Sequence, residues 1–480
     1  MPSTARFPLR FLLLVVAALL VVLAGIALLL PWSGERLEER VSGAIEAQLG
    51  VPASIQGDVS LRLLPRPAVQ VSDVLLGPEA AAEPAGHLEA ARLSLRWLSL
   101  LRGRLEPGTL VLDAPVLRLE RDAEGVLNLG PWTAQDNGRG SPALDLRIRD
   151  GELHWRDHGT QRTAAVRGLE VDAPATRWRA AADDAHPLAR LALAAEVSVA
   201  RVEAGALTLT DVSFGLTARD GVFRTTDWEM SLYEGRGTGE GEVDFTEQPP
   251  HWELDVAFDD LQLESFPEEW LPPGAASGRA ALTATLTSRG EDVQTLLRHL
   301  DGEVVLSGRD LVIRGVDLDE ELAAYERTQR FTLVDAAAVV FGGPAWLAAT
   351  RGTEFARLAG RANGETEIVQ LLSAWEIDQG VAHARDVALA TPRNRLAAQA
   401  SLDLPERRIR EAEVAVVDAE GCAVMRQEVH GTFDAPQIEQ PHLVEALLGA
   451  PLDLLRRGLD ALSLGPEDCE VFYDGAVAAP

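Results

Sequence analysis

Residues 50–77 read GVPASIQGDVSLRLLPRPAVQVSDVLLG. Val59, Leu61 and Leu63 alternate with polar residues. After the Pro-Arg-Pro turn, the alternation resumes at Val69. Strict alternation of apolar and polar side chains is typical of a β-strand with one buried face. The stretch therefore predicts a pair of half-buried strands, and it does not say what covers their apolar side.

An apolar run at residues 11–30 precedes this stretch and contains no charged side chain. At about 1.5 Å per residue, such a run spans a hydrocarbon core of ~30 Å. Arg6 and Arg10 precede the run, which favours a cytoplasmic N-terminus. A cleaved signal peptide is the alternative, but its apolar region is usually shorter and ends at small residues, whereas this one ends at Leu30. Residues 1–33 are therefore predicted to form an uncleaved membrane anchor.

The rest of the chain changes its periodicity twice. Residues 34–50 carry apolar side chains at steps of four, the pattern of an amphipathic connecting helix. From residue 51 to about 311, alternating segments and turn residues follow one another. In the region 312–480, Asp317 followed by Glu320 indicates a helix N-terminus. The predicted fold class is mainly β: one N-terminal transmembrane helix, a long antiparallel sheet, and a few short helices in the C-terminal third.

Two architectures fit so many half-buried strands. In a sandwich or barrel, two apolar faces bury each other. In a long curled sheet, the apolar face lines an open groove or trough. Both have one apolar side per strand, so alternation does not distinguish them. The residues alone favour the sandwich, because it is the commoner way to bury a sheet face.

Charge excludes one class of partner. The 480 residues carry a net charge of -30. Nucleic-acid binding depends on neutralising phosphates with basic side chains, so we expect no nucleic-acid partner. The acidic residues are expected to form a solvated outer surface.

Residue patterns that carry enzymatic chemistry are sparse. His154 and His158 would share a metal ion on a helix, but in a strand they lie roughly 13 Å apart. The alternating glycines of residues 235–241 look like a phosphate loop, but a strand follows where a dinucleotide loop needs a helix. No GxSxG, P-loop or HExxH motif is present in the sequence. We expect no enzymatic activity, no metal and no cofactor.

The order of several short motifs along the chain resembles the AsmA family. The first is the stretch at 50–77 that follows the anchor. The others are RLSLRW with LLRG at 92–103, DAPVLRL with Asp122, Gly125 and Asn128 at 113–128, RGVDL at 314–318, RGTEF at 351–355, and TPRNR with LDL at 391–404. Residues 1–132 and roughly 275–480 carry the resemblance.

The resemblance implies a single-pass protein of the bacterial inner membrane with most of its chain in the periplasm. Residues 51–311 would form a periplasmic β-groove, similar to the grooves of bridge-like lipid-transfer proteins. Residues 312–480 would form an AsmA-like C-terminal region of helices and closing strands. The family is linked to outer-membrane integrity, outer-membrane protein assembly and phospholipid movement. The implied partners are phospholipid, the inner membrane, and outer-membrane or other periplasmic proteins.

Two functions from different classes follow. In the first, the groove shields or transfers phospholipid acyl chains, which needs apolar burial and no catalytic residue. Ordinary core is the alternative reading of each candidate groove residue. In the second, the chain is a periplasmic scaffold for outer-membrane protein assembly whose apolar faces close on themselves. The candidate groove residues are Leu61, Leu63, Val69, Val71, Leu93, Leu95, Leu110 and Leu112.

Cys422 and Cys469 are the two cysteines of the chain. In an oxidising compartment such as the periplasm they are expected to form a disulfide, and a similar pair in AsmA-family members supports this. The bond would tie the strand near Gly421 to residues 471–473. Two buried free thiols are the alternative.

Overall fold

The computed structural model describes residues 52–62, 66–77, 84–96, 106–123, 128, 143–178, 187–268, 271, 273–315, 317–320, 322–323, 364–433, 435–439, 442–443, 469 and 471–480. The predicted anchor at 1–33 and the predicted connecting helix at 34–50 lie outside these residues. Within the described residues, no helix is long and apolar enough to cross a membrane.

The described residues are mainly β and form a large sheet of 21 strands with few helices. An α-helix, α1, spans Val293–Arg298, and residues 318–320 and 322–323 belong to a second helical segment. Two 3₁₀ turns span Pro187–Arg190 and Leu263–Ser265. The first eleven strands are β1 (Ala53–Ile55), β2 (Val59–Arg62), β3 (Ala68–Leu76), β4 (Gly86–Leu95), β5 (Pro107–Arg121), β6 (Leu144–Asp157), β7 (Arg162–Trp178), β8 (Leu191–Ala204), β9 (Leu207–Arg219), β10 (Val222–Leu232) and β11 (Gly235–Asp244). The others are β12 (His251–Gln262), β13 (Ala276–Arg289), β14 (Asp301–Arg314), β15 (Glu365–Asp378), β16 (Val381–Ala390), β17 (Arg395–Asp403), β18 (Arg408–Val417), β19 (Ala423–Thr432), β20 (Ala435–Ile438) and β21 (His442–Leu443).

The described residues fall into two compact units. The first extends to Ser231 and includes Thr238–Trp252 and Gly290–Asp292. The second comprises Leu232–Gly237, Glu253–Arg289 and the residues from Val293 onward. Strand β14 crosses the domain boundary expected from the sequence at 311/312. The domain limits drawn from the sequence stay predictions.

In the first unit, β1 and β2 both pair with β3, and β3 to β9 follow one another in the ladder. The antiparallel prediction is correct for these pairs except one. Strands β5 and β6 run parallel, with Thr109 opposite Asp145 and Arg121 opposite Asp157. A parallel pair needs a long return connection, and the chain between residues 121 and 144 supplies it. Alternation carries no information on strand direction, which is why the sequence did not reveal this pair.

Several strands are interrupted by a bulge residue, defined here as a non-glycine residue with positive φ inside a strand. Such a residue takes a place in the strand without continuing the alternation of side chains, and it bends the strand locally. On β5, Leu112 and Leu117 consequently pair with apolar residues of β6 on one face, although they are five positions apart. Bulge residues include Asp73 (φ 49°), Ala114 (φ 46°), Asp150 (φ 49°), Asp211 (φ 53°) and Asp310 (φ 52°).

Residues with positive φ occur at corresponding positions on several neighbouring strands of the first unit. Ala114 of β5 follows Asp113, Asp150 of β6 follows Arg149, and Asp113 pairs with Arg149. Gly168 of β7 also has a positive φ, of 65°, and a Cβ added there would meet the Cβ of Ala200 on β8. On β9, Asp211 lies between Thr210 and Val212, which pair with the two neighbours of Ala200. We call this series of positions on β5 to β9 the bulge line, and apolar side chains occur on both sides of it.

The second unit buries both faces of its C-terminal strands. One core contains Leu389, Leu396 and Val416, with Leu318 packed among them. The amide of Glu320 donates a 2.9 Å hydrogen bond to Oδ1 of Asp317, which confirms the predicted helix N-terminus at this point. The other face carries a second core, in which Phe472 and Tyr473 pack against alanines.

Candidate functional site

The groove residues predicted from the sequence lie in rows that cross the first strands of the first unit. Val69 pairs with Leu93, Leu93 with Leu110, and Leu110 with Leu146. Leu61 pairs with Val69 through the backbone. The side chain of Leu61 and the whole of Leu63 are outside the described part.

These rows are buried. The described candidate side chains are at most 5% exposed: Val69, Val71, Leu93, Leu95, Leu110 and Leu112. Protein atoms cover them, so a lipid would contact them only after that cover had moved. Their assignment to a groove stays a prediction, and ordinary core packing stays the alternative.

Farther along the same face, the apolar side chains are partly exposed. Leu153 of β6 pairs with Val166 of β7, Val166 with Val202 of β8, and Val202 with Leu209 of β9. All four side chains are of intermediate exposure. We call these four residues the open row.

A second row lies next to the open row, two residues along each strand. It consists of Trp155, Ala164, Ala204 and Leu207, which are paired in that order. Ala204 is exposed and the other three are half-buried. The side chains of Ala164 and Ala204 are small, so the surface of this row is lower at the two alanines than at Trp155 and Leu207 on either side of them. The open row and this alanine row together form what we call the apolar lane.

The bulge line separates the lane from the buried core of β6 to β9. On one side of it lie Leu146, Ile148 and Val197, each at most 8% exposed. On the other side lies the open row. In the sequence, the apolar residues on both sides of the bulge line have the same alternating pattern. That pattern does not distinguish rows that are covered from rows that are open. The aspartate that breaks the alternation in Arg-Asp-Gly (149–151) was the available signal for the change.

A charged corner closes one end of the lane, at the turn between β6 and β7. Asp157 accepts hydrogen bonds from the amides of Gly159 and Thr160 at 2.8 and 2.9 Å, and Arg121 Nη1 lies 3.3 Å from its Oδ2. The Thr160 amide has the largest influence on the pKa of Asp157, and with Gly159 and Arg121 it lowers that pKa although burial acts to raise it. Asp157 is therefore a carboxylate at neutral pH, and it fixes the turn beside the lane.

The AsmA family model matches residues 7–143 and 153–387, most of the chain. The chain belongs to the AsmA family. No curated protein matches it. In this AsmA-family chain the match includes every residue of the apolar lane. It ends before Cys422, so the C-terminal disulfide lies beyond the matched residues.

The polar face of the AsmA-family sheet carries ion pairs rather than apolar rows. Arg147 Nε lies 3.4 Å from Asp172 Oδ2, in a shallow cleft of about 440 Å³ between β6 and β9. His154 Nε2 lies 2.8 Å from Glu152 Oε2, so this histidine has a carboxylate partner. The part of the chain that the structure describes contains no group of three or more His, Cys, Asp or Glu side chains that could hold a metal ion.

The second unit of the AsmA-family chain has a partly exposed apolar face of its own. Leu282 of β13 pairs with Leu306 of β14, and both are half-buried. Leu306 pairs with Ser373 of β15, which is 1% exposed and accepts a 2.8 Å hydrogen bond from the indole of Trp375. This face therefore has a polar group among its apolar side chains, and that group is satisfied internally.

Proposed function

We propose that this AsmA-family protein shields or transfers phospholipid acyl chains and thereby supports outer-membrane biogenesis. It is anchored in the bacterial inner membrane by residues 11–30, as a single-pass protein with most of its chain in the periplasm. The observation that carries the proposal is the apolar lane, a continuous set of accessible apolar side chains on one face of β6 to β9.

Apolar burial supplies the binding energy. Removing apolar surface from water contributes about 25 cal/mol per Å², and it requires no particular direction of approach. An acyl chain therefore gains free energy anywhere along the lane and moves between rows without breaking a directional bond. The headgroup stays in water. The protein acts without catalysis and without a cofactor.

The partners follow from this role. Phospholipid is the cargo and the inner membrane is its source or its destination. Outer-membrane or other periplasmic proteins assist delivery.

A scaffold without lipid cargo is the second candidate. The burial of Val69, Leu93 and Leu110 favours it, because these rows are closed by protein as a scaffold requires. In that case the chain would assist or regulate outer-membrane protein assembly, and the partly exposed lane would be ordinary protein surface.

One experiment distinguishes the two functions. A photoreactive amino acid is placed at Val202, in the open row, or at Arg201, the adjacent exposed position on the polar face. After irradiation of cells, the full chain is purified and analysed by mass spectrometry for covalently attached phospholipid. Lipid attached at position 202 and absent at 201 supports transfer. Equal or absent attachment at both positions overturns the lipid function and leaves the scaffold.

A further inference from the structure

The end of the chain forms a strap across the second unit. The strap is defined as Cys469 together with residues 471–477. Cys469 is joined to Cys422 by a disulfide, and Val471 forms an isolated antiparallel bridge with Cys422. The amides of Phe472 and Tyr473 both donate to the carbonyl of Gly421, at 2.9 and 3.1 Å.

The strap covers a surface of small side chains. Phe472, Tyr473 and Val477 pack against alanines on the face of β16 to β18 opposite the Leu389 core. Small side chains allow the aromatic rings and the strap backbone to lie close to the sheet. The alanines are at most 4% exposed, and they are Ala388, Ala390, Ala397 and Ala415.

Polar contacts hold the strap at separate points. The Tyr473 hydroxyl donates to Asp386 Oδ1 at 2.5 Å, and the Ala476 amide donates to Asp386 Oδ2 at 2.7 Å. Arg395 donates to the Val477 carbonyl at 3.0 Å. These contacts join the strap to strands far away in sequence, so they all form when it docks and all break when it leaves.

The disulfide is at the accessible end of this arrangement. Cys422 and Cys469 are both partly exposed, whereas Phe472 and Tyr473 are at most 8% exposed. A small thiol reagent therefore reaches the bond without first opening the core. Breaking the bond removes the one covalent link between the strap and the sheet, apart from the main chain itself.

We propose that the strap is a redox-sensitive closure of the second unit, docked when Cys422 and Cys469 are oxidised and released when they are reduced. In closure, the two thiols give two electrons and two protons to the disulfide of a thiol–disulfide oxidoreductase, which becomes a dithiol. In release, a dithiol returns two electrons and two protons and becomes a disulfide. Release uncovers the alanine surface. The closure is independent of the proposed lipid function.

The entropy of loop closure determines how strongly reduction favours release of the strap. The two cysteines are 47 positions apart. For a loop of this length, the cross-link lowers the conformational entropy of the undocked strap. The decrease favours docking by about 1,000-fold in the equilibrium constant. The undocked population of the reduced strap is therefore about 1,000 times larger than that of the oxidised strap.

Hydrogen exchange measured by mass spectrometry tests this on the full chain in detergent. Addition of dithiothreitol is expected to raise exchange of the amides of Phe472, Tyr473 and Val477 by up to about 1,000-fold. Exchange in β15 is expected to stay unchanged. The double variant Cys422→Ser/Cys469→Ser is expected to exchange at the fast rate with and without dithiothreitol.

Two results would overturn the proposal. In the first, the strap amides stay protected after intact-mass analysis has verified that both thiols are free. In the second, reduction raises exchange equally in β15 to β19 and in the strap, because the bond would then support the whole unit. If the double variant does not fold, reduction of the folded wild-type chain gives the same comparison.

Discussion

The hydroxyl of Thr391 donates a 2.7 Å hydrogen bond to Oδ1 of Asp319, across 72 residues of chain. Asn394 donates its side-chain amide to the same oxygen. Next to Asp319, the amide of Leu318 donates to Thr366 at 3.0 Å, and Leu318 is buried. The start of the helical segment is thus fixed to the turn between β16 and β17. Two of the motifs that resemble the AsmA family, at 314–318 and 391–395, meet here.

Asp319→Ala is expected to destabilise the second unit. Thr391 is 0% exposed, and without Asp319 its hydroxyl keeps only the carbonyl of Asn394 at 3.2 Å as an acceptor. The side-chain amide of Asn394 loses its bond to Asp319 altogether. Leaving buried donors unpaired costs about 1–3 kcal/mol of unfolding free energy. Urea denaturation of the full chain measures the shift, with Glu367→Ala, an exposed position on β15, as the control.

A double-mutant cycle then isolates the pair. If the hydrogen bond between Thr391 and Asp319 matters, Thr391→Val adds less destabilisation to Asp319→Ala than to the wild-type chain. Strict additivity of the two effects would mean that the two residues act independently.

The alternation of apolar and polar residues predicted the strands correctly. Successive side chains of a strand point to opposite faces, so this pattern depends only on residues that are close in sequence. Val69 and Val71 illustrate this, since both lie in β3 with buried side chains as their spacing indicated. The bulges were missed because a bulge residue changes the phase of the alternation. On β9, Leu207 and Leu209 are followed by Asp211, after which Val212 continues the apolar positions. An aspartate that interrupts the alternation directly before an apolar residue is the sequence signal of such a bulge.

The location of the apolar lane was beyond sequence reasoning. Val202 and Val69 have the same local pattern, yet Val69 is 2% exposed and Val202 is partly accessible. The difference depends on which distant residues cover each row, and no local pattern encodes that cover. The disulfide between Cys422 and Cys469 needed less information, because the chain has two cysteines and one way to pair them.

The backbone conformation at Asp211 is expected to make two substitutions there differ in their effect on stability. Its φ of 53° lies in a region that aspartate tolerates and β-branched residues avoid. Asp211→Val is expected to lower stability by about 1–3 kcal/mol, whereas Asp211→Gly is expected to stay within about 1 kcal/mol of the wild type. Urea denaturation measures both. Thr208→Val, at an ordinary position of the same strand, is the matched control, and an equal loss at both positions would contradict the backbone argument.

The contribution of Asp157 is expected to depend on pH. Its pKa is lowered in the folded chain, so its stabilisation is present above the ordinary aspartate pKa of about 4 and is lost as the pH falls through the lowered value. Asp157→Asn is therefore expected to unfold at lower urea concentration than the wild type at pH 7, with a difference that shrinks below about pH 4. A difference that stays constant from pH 7 to pH 3 would show that charge plays no part at this corner.

Gly421 is expected to tolerate no side chain. It has a φ of 87°, and a Cβ added there would collide with the carbonyl oxygen of Tyr473. Gly421→Ala is therefore expected to displace the strap and to increase chymotrypsin cleavage at Tyr473 several-fold under oxidising conditions. Ala419→Gly, two residues earlier, is the control for altered chain flexibility. Cleavage equal to that of the wild type would show that the strap docks despite the added Cβ and would contradict the expected collision with the Tyr473 carbonyl.

Lipid binding in the apolar lane can be tested by placing one charge on either face of β9. Leu209→Asp places a carboxylate in the open row, whereas Thr210→Asp places the same charge on the polar face, opposite Arg201. Loss of a partly buried leucine contact costs about 1.5 kcal/mol, so Leu209→Asp is expected to weaken phospholipid retention roughly tenfold. Phospholipid per protein after gentle purification measures this, and circular dichroism verifies that both variants fold. An equal lipid content in Leu209→Asp, Thr210→Asp and the wild type would place the cargo elsewhere or exclude it, because a carboxylate on the lane disfavours an acyl chain wherever the two meet.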